Sequence, residues 1–289
     1  MPGLREVVVM ALVVSGSAAA AAAQEAKDAV CKAETALASL PELPEASGLA
    51  RGSGSRLWMH NDSGAAELFA VDPKGSVVGR VTLNGAKVED WEALASGPCG
   101  KRTCIYVGDI GDNDASRKQI TIYRLPEPAK PGGSAQAEAF HGTFPDGAHD
   151  AETLLVAPDG TVLVVTKGET GPVAVYKFPR DLKAGTAMQL ERIGKSLSSK
   201  TDAKGRVTDG AFSANGKWVV LRTRQSLAFY DGAEFLRGEF KAVHRVDLAS
   251  LNEPQGEAVT FGAGDTLYVG GEGGGKKQPG TLAALSCNP

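Results

Sequence analysis

The feature that most restricts the fold is a pattern that recurs five times between residue 45 and the C-terminus. Each copy has an acidic or polar residue, a short apolar run, a Gly, Asp or Asn turn, and a second run of β-branched and aromatic residues. The copies read EASGLARGSGSRLWMHND, DWEALASGPCGKRTCIYVGD, DAETLLVAPDGTVLVVTKG, TDGAFSANGKWVVLRTR and GEAVTFGAGDTLYVGGEG. The turns APDGT, SANGK and GAGDT suit hairpins, because Asn, Asp and Gly accept the positive φ of tight turns. Superposing the copies puts Ser47, Glu92, Glu152, Asp209 and Glu257 at one equivalent position, 45 to 60 residues apart. Two more strands fit in each interval: AELFAVD with VVGRVTL, QITIYRLP with AQAEAFHGTF, VAVYKFP with AMQLERIG, and SLAFYD with KAVHRVDL. Four strands per repeat of this length make a propeller blade. The expected fold is therefore all-β, a β-propeller of five blades. A sixth blade would have to lie in the long connections, above all PEPAKPGGSAQAEAF, whose Pro and Gly read instead as an exposed loop.

The fifth copy runs through EAVTF, TLYVGG and TLAALSC and then the chain stops, one strand short. The segment VCKAETALASL near the N-terminus is the expected donor of that outer strand, closing the ring and removing exposed sheet edges. Its Ala, Lys, Glu and Leu also suit a short helix. Four cysteines allow three pairings. Cys99 and Cys104 flank a turn-like spacer, so a bridge across one hairpin is expected; Cys31 and Cys287 stand at the two ends of the repeat region and would lock the closure.

Arg5, the apolar run Val7 to Val14 and the small residues up to Ala23 read as a secretory signal peptide over residues 1–23, cleaved near Ala23. Residues 24–289 then form a single propeller domain, secreted or periplasmic, with no membrane attachment after cleavage. An oxidising compartment favours disulfides over metal ligation for the cysteines. With a net charge of −3, nothing argues for a nucleic-acid partner, which usually needs a clustered basic surface, and none is expected.

The segments HNDSG, DWEALASGP, YVGDIGDN and YRLPEP resemble a group of secreted, largely uncharacterised bacterial β-propeller proteins over about residues 45 to 128. More distantly the chain looks like phytase-like, gluconolactonase-like and strictosidine-synthase-like propellers. The resemblance implies a propeller, and relatives of this kind often bind calcium near the central channel.

The first strand of a blade is innermost, so the repeated acids should ring the channel entrance. Glu92, Glu152, Asp209 and Glu257 are the candidate catalytic carboxylates, with Ser47 the odd member. No Gly-x-Ser-x-Gly elbow surrounds that serine. At the end of the second strand, the copies carry Asn61 and Asp62, Asp109, Lys167, Arg222, and Gly271 with Glu272, giving the ligand-binding candidates Asn61, Asp62, Asp109, Lys167, Arg222 and Glu272. Glu152 with Lys167 and Asp209 with Arg222 are the expected ion pairs of the third and fourth blades. The first, second and fifth blades have no such base. An acidic arc facing a basic arc suits a hard cation such as calcium, which takes six to eight oxygen ligands, with an anionic group held by the bases. The expected calcium ligands are Glu92, Asp109, Asp112 and Asn113. DIGDND is not an EF-hand loop, having Asp114 at its sixth place and Ile120 at its twelfth; its polar residues also suit a strand-end turn. His60 and His149 are placed near the same mouth, and His141 and His244 in outer strands. Trp91 is expected between blades, and Trp58 and Trp218 in the core. Three functions fit: a propeller binding a small molecule or protein partner, a metal-dependent hydrolase of a phosphoester or lactone, and a glycosidase using two ring carboxylates.

Overall fold

The computed structural model describes residues 31–198, 205–275 and 277–289. The signal-peptide segment lies outside them, as does Val30. Two short strands come first, β1 (Cys31–Ala33) and β2 (Ala38–Leu40). Blade 1 comprises β3 (Ala46–Arg51), β4 (Leu57–Asn61), β5 (Glu67–Val71) and β6 (Val77–Asn84). Blade 2 is built from β7 (Trp91–Cys99), β8 (Arg102–Asp109), β9 (Ile120–Pro126) and, after β10 (Ser134–Gln136), β11 (Glu138–Thr143). Blade 3 follows as β12 (Ala151–Val156), β13 (Val162–Thr166), β14 (Val173–Lys177) and, after β15 (Ala187–Gln189), β16 (Glu191–Ser198). Blade 4 has β17 (Val207–Phe212), β18 (Trp218–Thr223), β19 (Ser226–Asp231), a short helix α1 (Gly232–Leu236) and β20 (Ala242–Asp247). Blade 5 ends the chain with β21 (Gln255–Phe261), β22 (Thr266–Glu272) and β23 (Gly280–Cys287).

Each blade is an antiparallel meander, and the described residues form five sheets, a five-bladed propeller. Both β1 and β2 pair antiparallel with β23. The N-terminal segment is thus the missing outer strand and not a helix. It breaks in the middle, where Glu34 N donates to Ala284 O and the Thr35 hydroxyl accepts from Ala284 N. The Cys31–Cys287 disulfide joins this strand to the last one, and Cys99–Cys104 spans the β7–β8 hairpin.

Burial follows position in the blade. The inner strand β12 is buried at every residue, whereas the outer strand β20 alternates half-buried and exposed, as expected of strands with two covered faces and with one. Apolar side chains pack between neighbouring blades. Trp58, Leu94 and Ile105 fill the space between blades 1 and 2, and Tyr106, Leu154 and Tyr176 that between blades 2 and 3. Similar clusters lie between the remaining pairs, including Leu49 with Leu282 where blade 5 meets blade 1.

Two expected outer strands prove composite. In AQAEAFHGTF, β10 adds in parallel to β6 of blade 1 and only β11 stays with blade 2. In AMQLERIG, β15 adds in parallel to β11 of blade 2 before β16 completes blade 3. The pivots Ala137 and Leu190 are buried, and their N–H groups bond to Asn84 O and Thr143 O of the preceding blade. These additions cover two sheet edges. The loop expected in PEPAKPGGSAQAEAF is confined to the residues before Ser134, and no sixth sheet forms among the described residues.

Candidate functional site at the channel mouth

All five inner strands carry a bulge at the same place, next to their mouth end. A bulge leaves one residue outside the ladder and re-aims its side chain. In blades 2, 3 and 5 that residue is Glu92, Glu152 and Glu257. In blade 4, Val207 pairs with Thr223 and Asp209 with Arg222, so the extra residue is Thr208. In blade 1 the bulge holds Ser47 and Gly48. A side chain on Gly48 would collide with His60 Nε2 and with the blade 2 backbone at Leu94 N. Only glycine permits that approach.

Consecutive blades are laced together at this end. Trp91 N donates to Asp62 O (3.2 Å), Val207 N to Lys167 O (3.0 Å), and Gly273 N to Pro44 O (3.1 Å). The lacing fixes the residues that follow the second strands, and they surround a cavity of about 310 Å³. Seven carboxylates line it: Asp62, Asp90, Glu92, Glu152, Glu169, Glu257 and Glu272. Three bases face it, Lys167, Arg206 and Arg224, together with Asn113, Gln255 and Thr208.

Lys167 is the centre of the basic side. Its Nζ lies 2.5 Å from Glu152 Oε1, 3.4 Å from Asp150 Oδ2 and 3.8 Å from Glu169 Oε2, and it donates to Asn113 Oδ1 at 3.2 Å. Against the effect of burial, the carboxylates of Glu152 and Asp150 hold this ammonium above its ordinary value. Arg206 Nη2 pairs with Glu169 at 2.6 Å, and Arg224 Nε stands 3.9 Å from Glu257. Asp62, Asp90 and Glu272 form no ion pair among the described residues, although Lys167 and Arg117 act on Asp90, and Arg224 on Glu272, from further off. Burial is the leading cause of every raised acid here. It lifts Glu272 to about 7, aided by Glu257 and Asp62, and Asp62 to about 6, aided by Glu45. Burial also raises Glu152 to about 8 against the pull of Lys167, and Glu92 well above its usual range with Glu152 adding to the effect. Glu257 and Asp90 are raised for the same reason.

Of the sequence-derived ring, Glu92, Glu152 and Glu257 meet at this cavity. Ser47 is buried beside them and donates to Glu92 Oε2 and Glu92 O, both at 3.0 Å. The expected Glu152–Lys167 pair is present; the expected Asp209–Arg222 pair is not. Asp209 is fully buried one residue past the bulge, with Oδ2 accepting from Val259 N at 2.8 Å. Arg222 is fully buried as well, donating to Ala258 O (2.8 Å) and pairing with Glu253. Gly256 makes room for it, since a Cβ there would collide with Arg222 Nη2. The base that reaches the mouth from blade 4 is Arg224.

The expected calcium set separates in the same way. Glu92 lines the cavity and Asn113 stands at its edge, bonded to Lys167. Asp109 is buried away from it, accepting from Glu89 N, Asp90 N and Arg117 Nη1. Asp112 closes a turn by accepting from Ser116 N and Arg117 N, while its own N–H donates to Asp150 Oδ1. These two carboxylates are already engaged by protein donors, so the four residues do not fit a shared cation. Among the described residues no group of three or more His, Cys, Asp or Glu is arranged for a metal. Asn61 supports the wall, accepting from Glu45 N at 3.0 Å.

His60 is buried between blades 1 and 2, edge-on to Trp91, and burial lowers it to about 4. His149 sits apart from the cavity with Asp146 and Tyr176 OH, both 3.0 Å from its Nε2. His141 contacts Thr121, and His244 packs on Trp218, which is half-buried under Lys217. Trp58 and Trp91 are core residues. Asp90, Glu169, Arg206, Thr208, Arg224 and Gln255 were not foreseen. The bulge register, which would have placed Thr208 and Arg224, can be read by matching VTDGAF to AETLLV residue by residue; Asp90, Glu169 and Arg206 flank the strands and, like Gln255 at the first position of β21, carry no repeat signal.

The fold and this mouth define a β-propeller with a polar, predominantly acidic channel entrance. No protein-family model and no curated protein matches the chain. Among solved structures it is similar to a PQQ-bound aldose sugar dehydrogenase from Streptomyces coelicolor, with 13% identity over 89% of this chain and 98% of that one and a TM-score of 0.55. It also matches a putative glucose dehydrogenase from Thermus thermophilus (12% identity, 88% and 99% covered, TM-score 0.47) and a putative gluconolactonase (14%, 85% and 75%, TM-score 0.47). At these identities the likeness concerns the propeller fold, which hosts many functions.

Proposed function

We propose that the protein is an exported binding propeller whose mouth takes a small polar ligand. The ligand's anionic group lies against Lys167, Arg206 and Arg224, and a cation, the ligand's own or a calcium-type ion held with it, lies against Asp62, Asp90 and Glu272. The observation that carries this reading is the placement of the three bases and of three acids without an ion pair on one cavity of about 310 Å³. Groups such as Glu272 and Asp62, raised by burial and by neighbouring acids, gain most from a cation that restores their ionised form. The two disulfides suit an oxidising compartment, and no described helix is long and apolar enough to cross a membrane.

The hydrolase reading is weakened because Arg222 is buried on Glu253 and Asp109 is tied to Arg117, so neither reaches a mouth ligand. The glycosidase reading meets Lys167 bonded to Glu152, one of its two carboxylates. Calorimetric titration tests the proposal with 4-aminobutyrate, choline, inorganic phosphate and calcium chloride as probes. The zwitterion, or calcium with phosphate, is expected to bind more tightly than any single-charge probe, and Glu272→Gln to weaken it. Failure of all four to bind, or binding unchanged by Glu272→Gln, would overturn it.

A further inference from the structure

The opposite end of the channel holds a larger cavity of about 500 Å³ with contrary chemistry. It opens where the inner strands finish, at Arg51, Val156, Phe212 and Phe261, and where the β7–β8 hairpin turns, at Lys101 and Arg102. Three cationic side chains line it and none of its lining residues is Asp or Glu. Phe212, Phe261 and Val156, with Pro98 and Pro158, supply an apolar wall. Arg51 is anchored by Nη1 donating to Gly262 O at 2.8 Å, which fixes one cation at the floor. Lys101 and Arg102 sit on a hairpin whose ladder already runs to the Cys99–Arg102 pair. The Cys99–Cys104 disulfide adds a covalent clamp across this same turn, so both side chains start from a rigid base beside the cavity.

Between the two ends a separate small void of about 20 Å³ lies among Leu94, Leu154 and Gly210. That is room for about one water molecule, so a ligand at one end neither reaches nor competes for the other.

We propose that this end is a second binding site, independent of the acidic mouth, for a small organic anion with an aromatic or aliphatic body. The anion sits among Arg51, Lys101 and Arg102, and the body rests on Phe212 and Phe261. Such a pairing of a few placed charges with an apolar wall is the usual make-up of a small-molecule pocket.

The test uses 1-anilinonaphthalene-8-sulfonate, followed by fluorescence and calorimetry, with its neutral counterpart N-phenyl-1-naphthylamine. Wild type should bind the sulfonate once per chain and saturably, more tightly than the neutral compound, and more weakly as salt rises. The double variant Lys101→Glu/Arg102→Glu changes only exposed turn residues, so its unfolding midpoint should match wild type, and its affinity should fall about tenfold or more. Lys74→Glu/Lys241→Glu makes the same change in net charge on exposed residues elsewhere and should shift affinity by no more than about twofold. Non-saturable binding, equal affinity for the neutral compound, or equal losses in the two double variants would each overturn the assignment.

Discussion

Blades 3 and 4 both present a base next to the mouth-end bulge of the inner strand, and they use it in opposite ways. In blade 3, Lys167 lies just beyond the end of β13 and opens onto the cavity, shared among Glu152, Asp150 and Glu169. In blade 4, Arg222 lies within β18, paired with Asp209 in the ladder, and its guanidinium runs sideways under blade 5 to Glu253 and Ala258 O. Two residues of register separate a cation that can meet a ligand from one that binds two blades together. The contrast teaches that charge alone does not mark the functional surface of a propeller; the bulge does.

The largest effect should come from the buried member of the comparison. Arg222→Met leaves the Glu253 carboxylate without its cation in a site closed to water, a loss of about 3–5 kcal/mol. In a domain of this size that lowers the thermal midpoint by roughly 6 to 20 °C, measured by circular dichroism at pH 7. Lys167→Met should cost less, about 1–2 kcal/mol, because Glu152 faces a cavity and can take up a proton when its partner is gone. Equal losses in the two variants would break the distinction drawn between them.

The mouth should also betray itself in the pH profile. Glu272 and Glu152, raised from an ordinary 4.5 to about 7 and about 8, hold protons in the folded state that the unfolded chain has released. Their contribution is complete below pH 4.5 and is lost as pH rises through those values. His60, lowered from 6.5 to about 4, acts in the other direction, its contribution being lost as pH falls from 6.5 toward 4. Above pH 4.5 the two glutamates together outweigh the single histidine, so the midpoint should fall from about pH 4.5 to about pH 8 and level off beyond. Glu272→Gln should make the fall shallower up to pH 7 and leave the part between pH 7 and 8, which belongs to Glu152, unchanged. A wild-type profile flat between pH 4.5 and 8 would mean that burial does not raise these acids as described.

Much of this was legible in the sequence. Hairpin turns and alternating strands recur often enough to specify five blades, and the lone three-strand copy at the C-terminus pointed to its N-terminal complement. Three ring acids were found because Glu92, Glu152 and Glu257 each stand second or third in their strand. Asp209 and Arg222 misled because matching charge to charge skipped Thr208 and moved the fourth blade's register by one residue on its inner strand and two on the next. The loss of Asp109 and Asp112 to structural roles was not legible, since it depends on Arg117, eight residues beyond Asp109, folding back onto both. The strand exchanges of β10 and β15 were hidden for a related reason. One apolar pivot, Ala137 or Leu190, passes the chain from one sheet to the next without a break in its alternation.

The smallest stability effect belongs to the residue that took the place of the expected acid. Thr208 lies at the bulge of blade 4, 3% exposed; the residue lines the mouth, and its buried hydroxyl has no hydrogen-bond partner among the described residues. Burying a hydroxyl unpaired is unfavourable, so Thr208→Val, nearly the same shape, should change stability by no more than about 0.5 kcal/mol and in the stabilising direction. If the hydroxyl is kept for a ligand, the same substitution should weaken probe binding at the mouth several-fold while the midpoint holds or rises. Paired melting and titration curves separate the two effects. A destabilised Thr208→Val protein would show that the hydroxyl serves the fold, and blade 4 would then contribute Arg224 alone to the mouth.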